Sequence, residues 1–391
     1  MRLAGRMAGI EPFRVMELLA RARELEARGR SIVHMEIGEP DFPTPEPVCR
    51  AGIAALQRGE LFYAPAPGLP ELREAIARYY RSRHGIEVPP SRVVVTTGSS
   101  GALLLAVAAL VNPGDEVLLA DPGYPANRHF VRLLEATPVG IAVGPDSGYQ
   151  LTPELIEAHW SSRSAVVIAA TPSNPTGTVI PAAGLKAMAD CVAQREGALI
   201  VDEIYHGLVY EGECTTALAL SEDVFVINSF SKYFNMTGWR LGWMVAPQRY
   251  VPEIDRLAQN VFLSAPTPAQ HAALAAFEPE TLSILESRRA EFRARRDYLV
   301  PALRRLGFDI PQVPQGAFYI YAGCGQHARD SHAFALDLLE QAGVAITPGI
   351  DFGANAPERH VRFAYTRTIE ELAEGVRRIE SYLNGRAKAS R

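Results

Sequence analysis

The sequence predicts an α/β protein with a mostly parallel central sheet in a large domain, joined to a smaller α+β domain. Three observations carry this. Between residues 50 and 285 six short apolar runs recur, each continuous rather than alternating, the pattern of strands buried on both faces of a parallel sheet. Helical stretches that read as amphipathic, such as "SGALLLAVAALV" and "AGLKAMADCVAQREG", separate most of them, which is the alternation of an open α/β sheet. The charged stretch "TLSILESRRAEFRARRDYLVPALRRLG" then reads as a connecting helix of roughly 28 residues. Beyond it the pattern changes to two strand-like runs around one helix.

In chain order, residues 1 to 35 read as a helix ending near Gly29 and a short apolar run, "SIVHMEIG". The connector "EPDFPTPEP" is held extended by its prolines. We expect residues 1–49 to contribute to the small domain, 50–285 to form the large ligand-binding domain, and 286–391 to form the small C-terminal domain. The strand-like runs of the large domain are "RVVVTTG", "DEVLLADPGYP", "AVVIAATPSNPTG", "ALIVDEIY", "VFVINSFSK" and "LGWMVAP". Those of the small domain are "AFYIYAG" and "HVRFAYT", around "SHAFALDLLEQAG".

Composition excludes several classes of function. A net charge of -5 and a pI near 6.0 give no electrostatic case for nucleic acid or an anionic membrane surface. No apolar run approaches the roughly 20 residues of a membrane span. The N-terminal stretch lacks the apolar core and cleavage site of a secretory signal, so a cytoplasmic protein is expected. The four cysteines, Cys49, Cys191, Cys214 and Cys324, form no CxxC pair and read as reduced, buried thiols. The histidines show no metal-binding spacing, and no metal is assigned.

In open parallel sheets, ligands bind outside the carboxyl ends of the strands, so the polar residues that close each apolar run are the informative ones. They are Ser99 and Ser100, Tyr124, Asn174, Asp202 with Tyr205, and Ser229 through Lys232. A dinucleotide-binding sheet would place GxGxxG after the first strand, and "TTGSSGA" does not match it. Only Lys186, Lys232 and Lys388 are lysines among 39 basic residues. A chain that otherwise uses arginine gains from Lys232 what arginine lacks, an amine able to lose its proton near neutral pH and attack a carbonyl. The alternative is a solvated loop lysine.

Each of the other positions has a plain reading beside the chemical one. Asp202 either caps a following helix, "EIYHGLV", or pairs with a buried cation such as a protonated ring nitrogen. Ser99 and Ser100 either start a helix or cradle an anion with its free N–H groups. Arg240 is an exposed arginine or neutralises the same anion, and flanking Trp239 and Trp243 argue for partial burial. Tyr124 packs a loop or stacks on a flat ring. "TPSNPTG" is a proline turn or aims the Asn174 amide at the crevice, and its Asn-Pro bond is a candidate cis peptide.

Taken together, these residues resemble the fold-type I pyridoxal-phosphate enzymes, and more closely the class I/II aminotransferases of the bacterial aspartate/aromatic type. The resemblance runs from "EIGEPDFPTP" to "HVRFAYT" and rests on "DPGYP", "SNPTG", "VDEIY" and "SFSKYFNMTGWRLG", in that chain order. It implies the PLP-dependent transferase fold and pyridoxal 5'-phosphate as cofactor, with these roles. Lys232 holds the cofactor covalently and, once displaced by substrate, shuttles the α-proton. Asp202 pairs with the pyridine nitrogen, Asn174 and Tyr205 bond the phenolic oxygen, and Tyr124 stacks on the ring. Ser99, Ser100, Ser229 and Arg240 hold the phosphate. Tyr63, in "FYAPAPG", matches a tyrosine that reaches the neighbouring subunit's phosphate, implying a homodimer with shared active sites. Arg362 matches the arginine that grips the substrate α-carboxylate, beside the backbone of Gly38. The substrates implied are an amino acid and a 2-oxo acid, with neither nucleic acid nor membrane as partner.

Two rivals share the fold. A C–S lyase or decarboxylase would use the same chemistry. A cofactor-binding regulatory module would need an N-terminal DNA-binding domain, and the 35 residues before "EIGEP" are too few for one. For the substrate, aspartate-using relatives often place a lysine where Ser100 stands here. Without that cation a distal carboxylate is disfavoured, so a neutral or aromatic donor is expected. Arg128, in "YPANRHF", is an exposed helix arginine or a nearby reserve cation.

Overall fold

The computed structural model describes residues 2–59, 61–212 and 214–389, with side chains through residue 386. Twelve strands are seen in these residues: β1 (Val33–His34), β2 (Val93–Thr96), β3 (Glu116–Asp121), β4 (Thr137–Ala142), β5 (Ser164–Ala170), β6 (Ala198–Asp202), β7 (Val224–Ser229), β8 (Gly242–Val245), β9 (Tyr319–Gly323), β10 (Val344–Ala345), β11 (Thr347–Pro348) and β12 (His360–Ala364). Seven of them form one sheet in the order β2-β8-β7-β6-β5-β3-β4. All six apolar runs of the large region lie in it, so the mostly parallel α/β sheet is present.

Two features of the sheet were not legible. Strand β8 runs antiparallel to both neighbours, β2 and β7. The loop 230–241 folds straight back without a crossover helix, and only an antiparallel neighbour can follow so short a connection. Strand β4, "TPVGIA", is an additional edge strand parallel to β3. It carries Pro138 and Gly140 and is largely exposed, so it lacks an apolar run, and proline is tolerated on an edge.

The helix Gly98–Leu110 differs from its amphipathic reading. It is apolar on every side and no residue of it is exposed, as expected of a helix packed between a sheet and other helices. Its start lies against β8, where a Cβ on Gly242 would stand 2.7 Å from the Gly98 carbonyl carbon and 2.8 Å from the Ser99 nitrogen. Glycine at 242 therefore lets the strand pass beneath the first turn of that helix.

The second sheet is antiparallel, β11-β12-β9, and β1 pairs in parallel with β10, tying residues 33–34 to 344–345. The long charged stretch is one helix, Pro279–Arg305, and residue 285 lies inside it. All four cysteines are free, but only Cys191 and Cys324 are buried; Cys49 and Cys214 are half-buried, contrary to the expectation for the set. Among the described residues no helix is long and apolar enough to cross a membrane.

Candidate active site

The carboxyl ends of β2, β5, β6 and β7 open on one cavity of about 460 Å³, within the usual range for small-molecule sites. Gly38, Ser99, Ser100, Tyr124, Asn174, Asp202, Tyr205, Lys232, Arg240 and Arg362 all line it. Residues scattered from 38 to 362 thus meet because β1 and β12 bring the chain's two ends over the mouth of the large sheet.

At the centre stands Lys232. Its Nζ donates to the Gly38 carbonyl at 2.6 Å. Burial pushes the amine down to about 8, Glu39 and Asp202 opposing and the guanidiniums of Arg362 and Arg240 adding to the shift. Asp202, at the end of β6, is 5% exposed and forms no ion pair among the described residues. Its Oδ1 accepts the Ile204 N–H at 3.1 Å. Burial drives its carboxyl up to about 7, against the pull of that N–H and of the Lys232 amine. The segment after it forms only a 3-10 turn, His206–Leu208, so Asp202 caps no helix, and the helix-cap reading falls.

A guanidinium lies toward each end of the cavity. Arg362, in β12, is buried. Nη1 donates to Asn174 Oδ1 at 2.9 Å, and Nη2 donates to the Glu36 carbonyl at 2.6 Å and to Thr347 Oγ1 at 3.1 Å. Its Nε is buried without a partner, a donor left for a ligand. The group packs over the rings of Tyr319, 4.2 Å away, and Phe352, 5.0 Å away. At the other end Arg240, held with φ 53, donates to the Thr237 carbonyl at 2.9 Å. Gly98 (φ +75) opens the approach between this arginine and the N-terminus of the helix Gly98–Leu110, since a Cβ there would lie 2.8 Å from Arg240 Nη2. The free N–H groups of that helix and the guanidinium make a ready anion cradle.

The expectations for Arg240 and Ser229 need correction, while Tyr63, Arg128 and the Asn174–Pro175 bond are placed as follows. Arg240 is exposed rather than partly buried; Trp243 is fully buried on β8 and Trp239 half-buried, and neither encloses it. Ser229 does not line the cavity: its hydroxyl donates to Ser231 Oγ (3.0 Å) and the Leu241 carbonyl (3.2 Å), and Ser231 faces the cavity instead. Tyr63 is 83% exposed and stands apart from the cavity of its own chain. Arg128 lines a different space and donates to the Asp351 carbonyl at 2.6 Å. The Asn174–Pro175 bond is cis.

Sequence reasoning missed Tyr319. Its hydroxyl is 3.0 Å from that of Tyr205, and a Cβ on Gly38 would come within 2.0 Å of it. Burial raises the pKa of both tyrosines, so their protons are retained at neutral pH. The run "AFYIYAG" shows two alternating tyrosines, but nothing local says which faces the crevice.

A half-buried amine whose pKa desolvation lowers to about 8, at the carboxyl edge of a mostly parallel sheet, fits enzymes that work on carbonyl and amino groups through a lysine. The comparisons narrow the class. The family "Aminotransferase class I and II" matches residues 30–379, so the chain belongs to that family, and it is a transaminase. It is 42% identical to the valine–pyruvate aminotransferase of Mycobacterium tuberculosis, over 96% of this chain and 97% of that protein. Identity to the aspartate/prephenate aminotransferase of Thermus thermophilus is 35%, over 98% and 99%. The crystal structure of the Thermus thermophilus aspartate aminotransferase with maleate superposes with a TM-score of 0.92 at 34% identity, covering 97% of this chain and all of that one.

Proposed function

We propose that this transaminase works with pyridoxal 5'-phosphate and moves the amino group of a neutral L-amino acid, apolar or aromatic, to a 2-oxo acid such as 2-oxoglutarate. The observation that carries the reading is the joint placement of the Lys232 amine, the unpaired Asp202 carboxylate and the Arg362 guanidinium on one cavity. These residues fit the cofactor. Asp202 lacks the cation that a pyridinium nitrogen supplies, Arg240 with the helix start at Gly98 suits a phosphate, and Lys232 offers a reactive amine. Bound there, the cofactor acts as the electron sink that ordinary side chains cannot provide.

The chain's own residues do the rest. Asp202 would hold a proton on the ring nitrogen, which would favour the charge-withdrawing form in the transition state more than in the ground state. Lys232 Nζ would anchor the cofactor and would act as the base for the α-proton at substrate Cα. Tyr205 and Asn174 bond the phenolic oxygen, and Tyr124, raised to about 12 by burial and so neutral, stacks on the ring. Arg362, whose Nε has no partner in the structure, holds the substrate carboxylate, which decides which Cα bond faces Lys232. Ser99 and Ser100 bind the phosphate with Arg240; Ser229 supports them from behind through Ser231.

The remainder of the cavity wall favours a neutral side chain. Phe13, Val15, Met16 and Ile37 line it, and Arg128, the reserve cation, lies outside it. The valine–pyruvate relative points the same way, while the aspartate relatives point to an acidic donor. Half-reactions of the cofactor-loaded protein with leucine, phenylalanine, alanine, methionine, glutamate and aspartate decide between them. Neutral donors are expected to react fastest; an aspartate rate about tenfold above all of them would overturn the substrate reading. Release of a 2-oxo acid without ammonia separates transfer from C–S lyase chemistry.

A further inference from the structure

Arg128 belongs to a second chamber of about 400 Å³, which shares the wall formed by Tyr124, Asn174 and Phe352 with the substrate cavity. The chamber lies between the helix Pro125–Leu133, strand β4 at the sheet edge, and the loop 350–354. Arg128 and Arg132 both face it from that helix, one turn apart and half-buried. Neither forms an ion pair among the described residues. Each donates instead to a main-chain carbonyl at 2.6 Å, Arg128 to Asp351 and Arg132 to Gly9. Two like charges at i,i+4 repel each other, and burial together with the Arg132 charge lowers the Arg128 pKa although Glu11 and Asp121 oppose it.

Glu11, Asp121 and Asp351 act on that charge through space, but none pairs with either arginine among the described residues. Asp121 accepts the N–H groups of Ala354 (2.8 Å) and Asn355 (3.2 Å). Glu11, on the exposed N-terminal segment, stays beyond ion-pair distance of both arginines. Two guanidiniums one turn apart, with no ion pair among the described residues, in a concave and partly desolvated site suit a carboxylate ligand.

We propose that this chamber is an anion site for a small carboxylate, distinct from the substrate cavity, with the carboxylate held between Arg128 and Arg132. Calorimetric titration of succinate into the cofactor-loaded protein, whose phosphate cradle is then filled, tests it. Two binding events are expected. Arg362→Lys should abolish the event in the substrate cavity and leave the other. Arg128→Gln combined with Arg132→Gln should weaken that other event by at least about tenfold and spare the first. Should the double variant melt early, Arg132→Gln alone serves, since that side chain bonds only the Gly9 carbonyl. A single event lost with Arg362→Lys, or a second event indifferent to both arginine variants, overturns the proposal.

Discussion

Lys232 sits in a loop of small and hydroxyl residues, and its 2.6 Å bond to the Gly38 carbonyl shows an amine already turned into the cavity. Replacing it with alanine should leave any cofactor binding reversible and end the half-reaction. Lys232→Arg should do the same, because it keeps a charge but supplies no free amine; activity in either variant would end the assignment. The depressed pKa makes a pH prediction. Below about 8 the amine is mostly protonated, so the rate at which the cofactor-free protein captures cofactor should rise with pH and level off above about 8. A midpoint near the ordinary 10.5 would show that the amine is not buried as described. Asp202→Asn keeps the shape and removes the charge. We expect a loss of about 100-fold in rate, or roughly 2.7 kcal/mol of barrier. A loss under about tenfold with cofactor bound would reduce Asp202 to a structural group.

The helix Arg14–Ala27 shows how elements far apart in sequence share one device. The residue before it, Phe13, cannot cap it. Asp351 does so instead, its carboxylate accepting the N–H groups of Arg14 and Val15 at 2.8 and 2.9 Å. That cap fixes Phe13, Val15 and Met16 on the substrate cavity. Losing an N-cap costs about 1 kcal/mol, so Asp351→Ala should loosen the helix start and raise the KM for the amino donor more than it lowers kcat. Steady-state kinetics with a neutral donor would show it, and unchanged KM would mean the segment does not shape the site. The helix near the N-terminus was legible in the sequence; this cap was not, because its two halves lie 336 and 337 residues apart.

Across the whole molecule, the exposed apolar side chains gather on few elements. Ile53 and Leu56 on the helix Glu46–Arg58, Leu61, Phe62 and Tyr63 after it, and Val261 and Leu263 at the end of another helix are all exposed. Thr267 Oγ1 bonds the Phe62 carbonyl at 2.7 Å and holds this loop in place. Large exposed apolar groups on neighbouring elements mark association surfaces. We propose a homodimer in which Tyr63 completes the phosphate cradle of the other subunit. Mixing Lys232→Ala chains with Tyr63→Phe chains should yield hybrids with one intact site and restored activity. A stable monomer with full activity in sedimentation would refute it.

What the sequence determined by itself was local and periodic. Continuous apolar runs marked six of the seven sheet strands, and the residues that end them marked Tyr124, Asn174, Asp202 and Lys232, because a parallel sheet presents its carboxyl edge to ligands. The edge strand β4 escaped because half-exposed strands need no apolar run. Tertiary structure decided everything that depends on direction: that Ser229 turns inward while Ser231 faces the cavity, that Arg240 is exposed, and that Tyr319 meets Tyr205. It also decided which side of Tyr124 receives Arg128. A side chain's direction is set by what packs against it from distant parts of the chain, and a local pattern holds no record of those neighbours.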